Sequence, residues 1–140
     1  MEKRNALGVS PLTDEFAKID GISNYEELAA YFAYANKVGF SVPLGLFIYQ
    51  DFKKPTEITV YTQQSGLGLP DREYYLKEDD RSKEIRVKYV EHIRNMLDLA
   101  GLENGDESAK TIMDLETRLA KKHLEKEKVR DLVALSLIHI

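Results

Sequence analysis

Cysteine is absent from this sequence of 140 residues. The chain can therefore form no disulfide bond, no thiolate metal site and no cysteine nucleophile. The absence leaves the cellular compartment open, because many secreted bacterial proteins also lack cysteine.

Neither an excess of positive charge nor a long apolar run is present. Twenty-four acidic and twenty basic side chains give a net charge of −4, so the chain lacks the positive surface that nucleic acid requires. No apolar run approaches the ~20 residues that span a bilayer, and the opening MEKRNALGVSPL contains no apolar stretch of the secretory type. We predict no nucleic-acid partner and no membrane span in this segment.

The remaining composition is that of an ordinary soluble globular protein. Hydrophobic residues make up 43% and charged residues 31% of the chain. The length fits one domain or a piece of a larger one, and it is enough to bury a core.

Two helices are predicted in the first forty residues. Pro11 to Asp20 has apolar residues near helical spacing, and Gly21 ends it. In the next segment, Ser23 with Glu26 three residues later has the pattern of a capping box, and Gly39 supplies the stop. The apolar stripe of this second helix consists of Leu28, Tyr31, Phe32 and Ala35.

The segment LFIYQDFKKPTEITVYTQQ changes to a period of two. Alternating apolar and polar residues flank a Lys-Lys-Pro-Thr turn, residues 53–56, which predicts a β-hairpin. One hairpin is only marginally stable alone, so we expect it to pack on a helix or join a larger sheet.

Two further helices are predicted in the second half. One runs from Asp79 or Asp80 to Ala100 with Gly101 after its end, and the other begins near Ser108 after the turn of residues 104–106. Their predicted apolar faces consist of Ile85, Tyr89, Ile93, Met96 and Ala100, and of Ile112, Leu115 and Leu119. The predicted fold class is mainly α with one β-hairpin.

The glycine-rich stretch QSGLGLPDREYYL allows two interpretations. A dinucleotide loop needs a third glycine where this chain has Asp71, and a Walker loop needs a Gly-Lys-Ser/Thr that is missing, so a phosphate site is not supported. The favoured interpretation is a turn that Gly66 and Gly68 permit, followed by a short helix opened by Pro70. Tyr74 and Tyr75 are expected to pack with their hydroxyls hydrogen-bonded.

The candidate metal ligands are scattered. His92, His123 and His139 do not begin a His-Glu-x-x-His sequence, and the mixed charge around His123 is typical of a solvated helix face. The acidic run of residues 78–80 lacks the spacing of a calcium loop and is expected to be helix-start charge.

Three stretches together resemble the neprilysin and endothelin-converting-enzyme family of zinc metallopeptidases, most closely its bacterial oligopeptidase branch. They are QSGLGLPDREYYL, RSKEIRVKYVEHIRNMLDLAG and MDLETRLAKKHLEKEKVRD, the last of which carries Glu116 and Leu119–Ala120. The resemblance extends from about Asn5 to Asp131.

The resemblance implies two mainly helical lobes around a cavity that admits small peptides. It also implies a zinc ion in the C-terminal half, bound by two histidines of a His-Glu-x-x-His helix and a more distant glutamate. This motif does not occur here, so the resemblance assigns no catalytic, cofactor-binding or metal-binding residue to the chain. It implies a periplasmic, cell-surface or secreted location.

Both termini are expected to be cut. Met1 resembles an internal residue of the family, and LVALSLIHI after Arg130–Asp131 departs from its pattern. The last six residues match the translation of a widely used transposase adapter. We therefore expect residues 1–134 to be a partial N-terminal peptidase domain and residues 135–140 to be an adapter-derived tail; a native apolar strand is the alternative.

The predicted function is that of a fragment of a zinc metalloendopeptidase that acts on oligopeptides. The segment would help to wall the substrate cavity, bind no zinc itself, and have the zinc-bearing half of its own chain and peptide substrates as partners. A stand-alone, non-catalytic helical binding module is the alternative.

Overall fold

The computed structural model describes residues 6–125 and residue 128. Within them the chain is mainly helical, with one antiparallel hairpin, as predicted. After a 3₁₀ turn at Ser10–Leu12, the elements are α1 (Thr13–Asp20), α2 (Tyr25–Val38), β1 (Leu44–Gln50), β2 (Ile58–Gln64), α3 (Glu73–Leu76), α4 (Asp80–Leu99) and α5 (Gly105–Lys122).

The cap of helix α2 lies one residue later than the sequence predicts. Asn24 is the N-cap, and its side-chain oxygen accepts a hydrogen bond of 2.9 Å from the Glu27 amide. The Glu27 carboxylate accepts bonds from the Ser23 amide at 2.8 Å and the Ser23 hydroxyl at 2.9 Å. The predicted Ser23–Glu26 box is therefore wrong, because Asn24 and Glu27 have the same three-residue spacing. Gly39, with φ of 86°, ends the helix as predicted.

The two strands of the hairpin pair in antiparallel register, with Ile48 opposite Val60. On one face, Phe47 stacks on Tyr61 with ring centroids 5.2 Å apart, and Tyr61 is only 1% exposed. The Tyr61 hydroxyl donates to the Gln50 carbonyl at 3.2 Å, so this face and the end of β1 are held together. The other face is exposed.

Two side-chain amides tie the hairpin to helix α2 and to the segment that follows α5. The Asn36 amide of α2 donates to the Leu44 carbonyl and accepts from the Leu46 amide, both at 3.1 Å. The Gln64 side-chain amide donates to the Leu124 carbonyl at 3.2 Å and accepts from the Leu124 backbone amide at 2.7 Å. The start of β1 is therefore fixed to α2, and the end of β2 to the segment that follows α5.

Helices α4 and α5 pack on each other and on the short helix α3. Ile93, Ala109 and Ala120 are buried between them. The predicted apolar faces need correction, since Met96 and Leu115 are about half exposed. Helix α5 begins at Gly105 rather than near Ser108, after Asn104 in a left-handed conformation with φ of 60°.

No helix among the described residues is both long enough and apolar enough to cross a membrane. The division between residues 1–134 and the tail at 135–140 falls outside the part of the chain that the structure describes, and it stays a prediction.

Candidate functional site

The glycine-rich loop connects β2 to α3 and lies against helices α4 and α5. Gly66 has φ of 84°, and a Cβ atom there would lie 2.8 Å from Pro43 Cα. Both the backbone angle and the close approach exclude a side chain at this position. The turn predicted from the sequence is confirmed.

The centre of this region is the carboxylate of Glu116 on α5. It accepts hydrogen bonds from the Tyr75 hydroxyl at 2.6 Å, the Tyr89 hydroxyl at 3.0 Å and the Gly68 amide at 3.3 Å. The Tyr75 hydroxyl also accepts from the Leu69 amide at 2.9 Å. We call these residues the Glu116 clamp: one carboxylate joins the loop, α3, α4 and α5.

Gly68 is packed tightly into this clamp. A Cβ atom at this position would collide with the Tyr89 hydroxyl. The rings of Tyr75 and Tyr89 meet edge to face, with centroids 6.5 Å apart. Glycine at position 68 therefore allows the loop backbone to approach Tyr89, whose hydroxyl donates to the same carboxylate.

The electrostatics of the clamp keep both tyrosines neutral. Burial, followed by the hydrogen bond to Glu116, raises the pKa of Tyr75. Burial and the charge of Glu116 raise the pKa of Tyr89 to about 12. Both hydroxyls thus act as hydrogen-bond donors at ordinary pH, and both are already engaged by the Glu116 carboxylate. This arrangement holds structure together rather than exchanging protons.

The structure corrects one part of the loop prediction. The short helix begins at Glu73, not at Pro70, and the Asp71 carboxylate accepts from the Glu73 amide at 2.9 Å. The Gly68 amide does bind an anion, but that anion is the chain's own Glu116. The expectation that the Tyr75 hydroxyl is hydrogen-bonded is confirmed.

The acidic run before α4 acts as a helix cap, as predicted. The Asp79 carboxylate accepts from the Ser82 hydroxyl at 2.7 Å and from the Ser82 amide at 3.0 Å. These two bonds, led by that of the hydroxyl, lower the pKa of Asp79. Nearby, Arg86 donates to the carbonyls of Tyr74 and Lys77 at 3.0 and 2.7 Å and fixes α3 to α4.

A cleft of about 650 Å³ lies between α3, the start of α4 and Glu125. Its charged lining mixes both signs, with Asp71, Glu73, Asp79 and Glu125 facing Arg72, Lys77 and Arg81. Lys77 lies 3.8 Å from Glu73, and Asp79 is used in the cap. Several of these charges thus serve local structure, and the lining as a whole is not of one sign.

The histidines do not come together with other metal ligands in the described ranges. His92 is exposed on α4, whereas His123 is partly buried and burial lowers its pKa. Among residues 6–125 and 128, no three side chains of His, Asp or Glu are grouped to hold a metal ion. His139 lies outside these residues. That no catalytic, cofactor-binding or metal-binding residue lies in this chain stays a prediction.

Sequence reasoning found the loop and Tyr75 but missed the contact among Glu116, Tyr89 and Gly68. A signal was present on α5, where Ala109, Glu116 and Ala120 follow one another at spacings of seven and four residues. Ala109 and Ala120 are fully buried. A glutamate on the same buried face of α5 needs hydrogen-bond donors for its carboxylate inside the protein, so its position indicates that such donors are present.

Comparisons with known proteins give a consistent family signal. The sequence pattern of peptidase family M13 matches residues 1–137. Endothelin-converting enzyme 1 of Cavia porcellus is 32% identical over 136 residues, which are 94% of this chain and 17% of that enzyme. Neprilysin-3 of Drosophila melanogaster is 25% identical over 130 residues, which are 85% of this chain and 16% of that protein.

A solved structure supports the same relationship. The crystal structure of the Mycobacterium tuberculosis zinc metalloprotease Zmp1 in complex with an inhibitor matches with a TM-score of 0.79 and 35% identity. The match covers 91% of this chain and 20% of that chain. This chain thus spans between 16% and 20% of the length of these relatives.

Proposed function

The chain belongs to peptidase family M13, and on that premise we propose that it is the N-terminal part of a zinc metalloendopeptidase that hydrolyses peptide bonds in oligopeptides. One observation carries the proposal: 91% of the chain aligns with the structure of a zinc metalloprotease, with a TM-score of 0.79 and 35% sequence identity. The resemblance stated from the loop and the two long helices is confirmed by the family match over residues 1–137.

We assign this segment a supporting role in the enzyme, as part of the wall of the substrate cavity. The Glu116 clamp supports this role, because its two tyrosine hydroxyls and the Gly68 amide are all hydrogen-bonded to a carboxylate of the same chain. The partners proposed are peptide substrates and the remainder of the same polypeptide. An exported location, periplasmic, cell-surface or secreted, is proposed on family membership alone.

Zinc is assigned to the rest of the enzyme. The described residues do not fit a zinc site, since they contain no group of three ligand side chains. None of the three histidines in the sequence is followed by glutamate, as the His-Glu-x-x-His sequence requires. In enzymes of this class the bound metal polarises the scissile carbonyl and activates water.

The proposal is tested by extending the reading frame in the source DNA and expressing the complete product. We expect a downstream His-Glu-x-x-His sequence, one zinc ion per molecule by elemental analysis, and peptide cleavage that a chelator abolishes. The 140-residue chain alone is the matched control, and it should bind no stoichiometric zinc and cleave no peptide.

A native stop codon soon after Asp131 would contradict the proposal and favour a non-catalytic helical binding module. Stoichiometric zinc in the 140-residue chain would contradict the assignment of the metal to the rest of the enzyme.

A further inference from the structure

One face of the hairpin carries five exposed aliphatic side chains beside the polar Gln50, Thr62 and Gln64. It is formed by alternate residues of both strands, with Ile48 of β1 opposite Val60 of β2. Ile48 is 71% exposed and Ile58 is 72% exposed. We call it the aliphatic face; its members are Leu44, Leu46, Ile48, Ile58 and Val60, all of them exposed.

The opposite face of the same hairpin has its own packing. Phe47 and Phe52 contact the ring of Tyr61, with centroids 5.2 and 5.4 Å away. Tyr61 is almost fully buried there. A two-stranded sheet with one packed face and one bare apolar face lacks the second layer that stable sheets need.

The strands also contain no charge. LGLFIYQ and ITVYTQQ have no acidic or basic side chain in a sequence that is 31% charged. Exposed strands of soluble proteins usually carry charged residues that discourage unwanted pairing. Uncharged aliphatic surfaces are typical of permanent contacts, whereas transient contacts are more polar.

The start of one edge of the hairpin is already occupied. Asn36 already occupies the Leu44 carbonyl and the Leu46 amide at the outer edge of β1. Addition of another strand at this point would displace both bonds. The start of this edge is therefore not free for strand addition, whereas the aliphatic face is exposed.

We propose that the aliphatic face docks on an apolar surface in the remaining polypeptide of the peptidase. This inference rests on the proposed function, in which the chain is one part of a longer enzyme. The matched relatives contain five to six times as much chain, since this chain spans 17% of one and 20% of another. That additional polypeptide supplies the covering layer, and the docking fixes the position of the wall segment relative to the rest of the enzyme.

The absence of cysteine provides a direct test. Ile48→Cys and, as a second probe, Ile58→Cys place single thiols on the aliphatic face. Lys88→Cys on α4 is the matched control, because the Lys88 side chain is 70% exposed and charged. Maleimide labelling rates are measured at each position in the complete enzyme and in the 140-residue chain, with peptide mapping to separate any thiols elsewhere in the enzyme.

In the complete enzyme we expect the two face thiols to react on the order of tenfold or more slowly than the Lys88→Cys control, because docking must open before they are reached. In the 140-residue chain the face thiols should react as fast as the control.

Three results would overturn the docking. The first is face thiols that label at the control rate in a complete enzyme that binds zinc and cleaves peptide, which leaves the proposed function intact. The second is protection in the 140-residue chain that increases with its concentration, which assigns the face to a second copy. The third is protection in the complete enzyme only when peptide is added, which assigns it to substrate. Failure of the proposed function is recognised separately, by the absence of zinc and of a longer reading frame.

Discussion

The Tyr75 hydroxyl lies 2.6 Å from the Glu116 carboxylate, although the two residues are 41 positions apart in the chain. This short bond joins α3 to α5, and Tyr89 of α4 donates to the same carboxylate. One acidic side chain therefore joins three helices and the glycine loop.

Replacement of Glu116 by glutamine should destabilise the protein by about 1–3 kcal/mol, because an amide offers one acceptor oxygen and leaves buried donors unpaired. The measurement is the free energy of unfolding in urea. Glu91→Gln, on an exposed part of α4, is the matched control and should have little effect. Equal stability of the two variants would show that the clamp contributes nothing.

Gly68→Ala should destabilise the protein by about 1–3 kcal/mol, since the new methyl group collides with the Tyr89 hydroxyl. Tyr89→Phe removes the oxygen but keeps the ring carbon Cζ, which would lie 2.7 Å from the new Cβ, so the alanine should cost less in that background but still destabilise. A double-mutant cycle measures the coupling, expected at about 0.5–3 kcal/mol. Strictly additive effects would mean that the methyl group is accommodated elsewhere.

The stability contributed by Tyr89 should disappear at alkaline pH. Its pKa is raised to about 12 in the folded protein, against an ordinary value near 10. The unfolded chain thus loses this proton first, and the contribution is complete below about pH 10 and lost as pH rises toward 12. The difference in unfolding free energy between the wild type and Tyr89→Phe should shrink over this window. A difference that is constant with pH would contradict the raised pKa.

Two substitutions distinguish the possible caps of helix α2. Asn24→Ala should cost about 0.5–2 kcal/mol, because it removes the acceptor for the Glu27 amide. Ser23→Ala should cost less, since the Ser23 backbone amide keeps its bond to Glu27. Unfolding followed by far-ultraviolet circular dichroism measures both. The opposite order would restore the cap predicted from the sequence.

Local patterns predicted most of the fold. The change to a period of two identified the hairpin of β1 and β2, and the apolar spacing with the acidic start identified α4 almost to the residue. The error at α2 has a local cause, because Ser23 and Asn24 are adjacent and both are good caps. At such a position the local sequence favours either residue as the N-cap almost equally.

Local sequence patterns could not predict the Glu116 clamp. Its bonds connect residues that are 27, 41 and 48 positions apart, so they exist only once α3, α4 and α5 have packed. The choice of Glu116 over Leu115 as the inward residue depends on how α5 is rotated against α4. Family resemblance supplied the functional prediction, since no spacing of residues in this chain encodes peptidase chemistry.

Asn36 of helix α2 lies only eight residues before Leu44 of strand β1, so its contact with the start of the strand is local in the chain. Uncharged segments of about seven residues that are rich in β-branched and aromatic side chains readily stack into fibrils when they are bare. By engaging Leu44 and Leu46, Asn36 occupies the backbone groups on which a neighbouring strand would begin to add. One asparagine thus blocks strand addition at the start of the outer edge of β1.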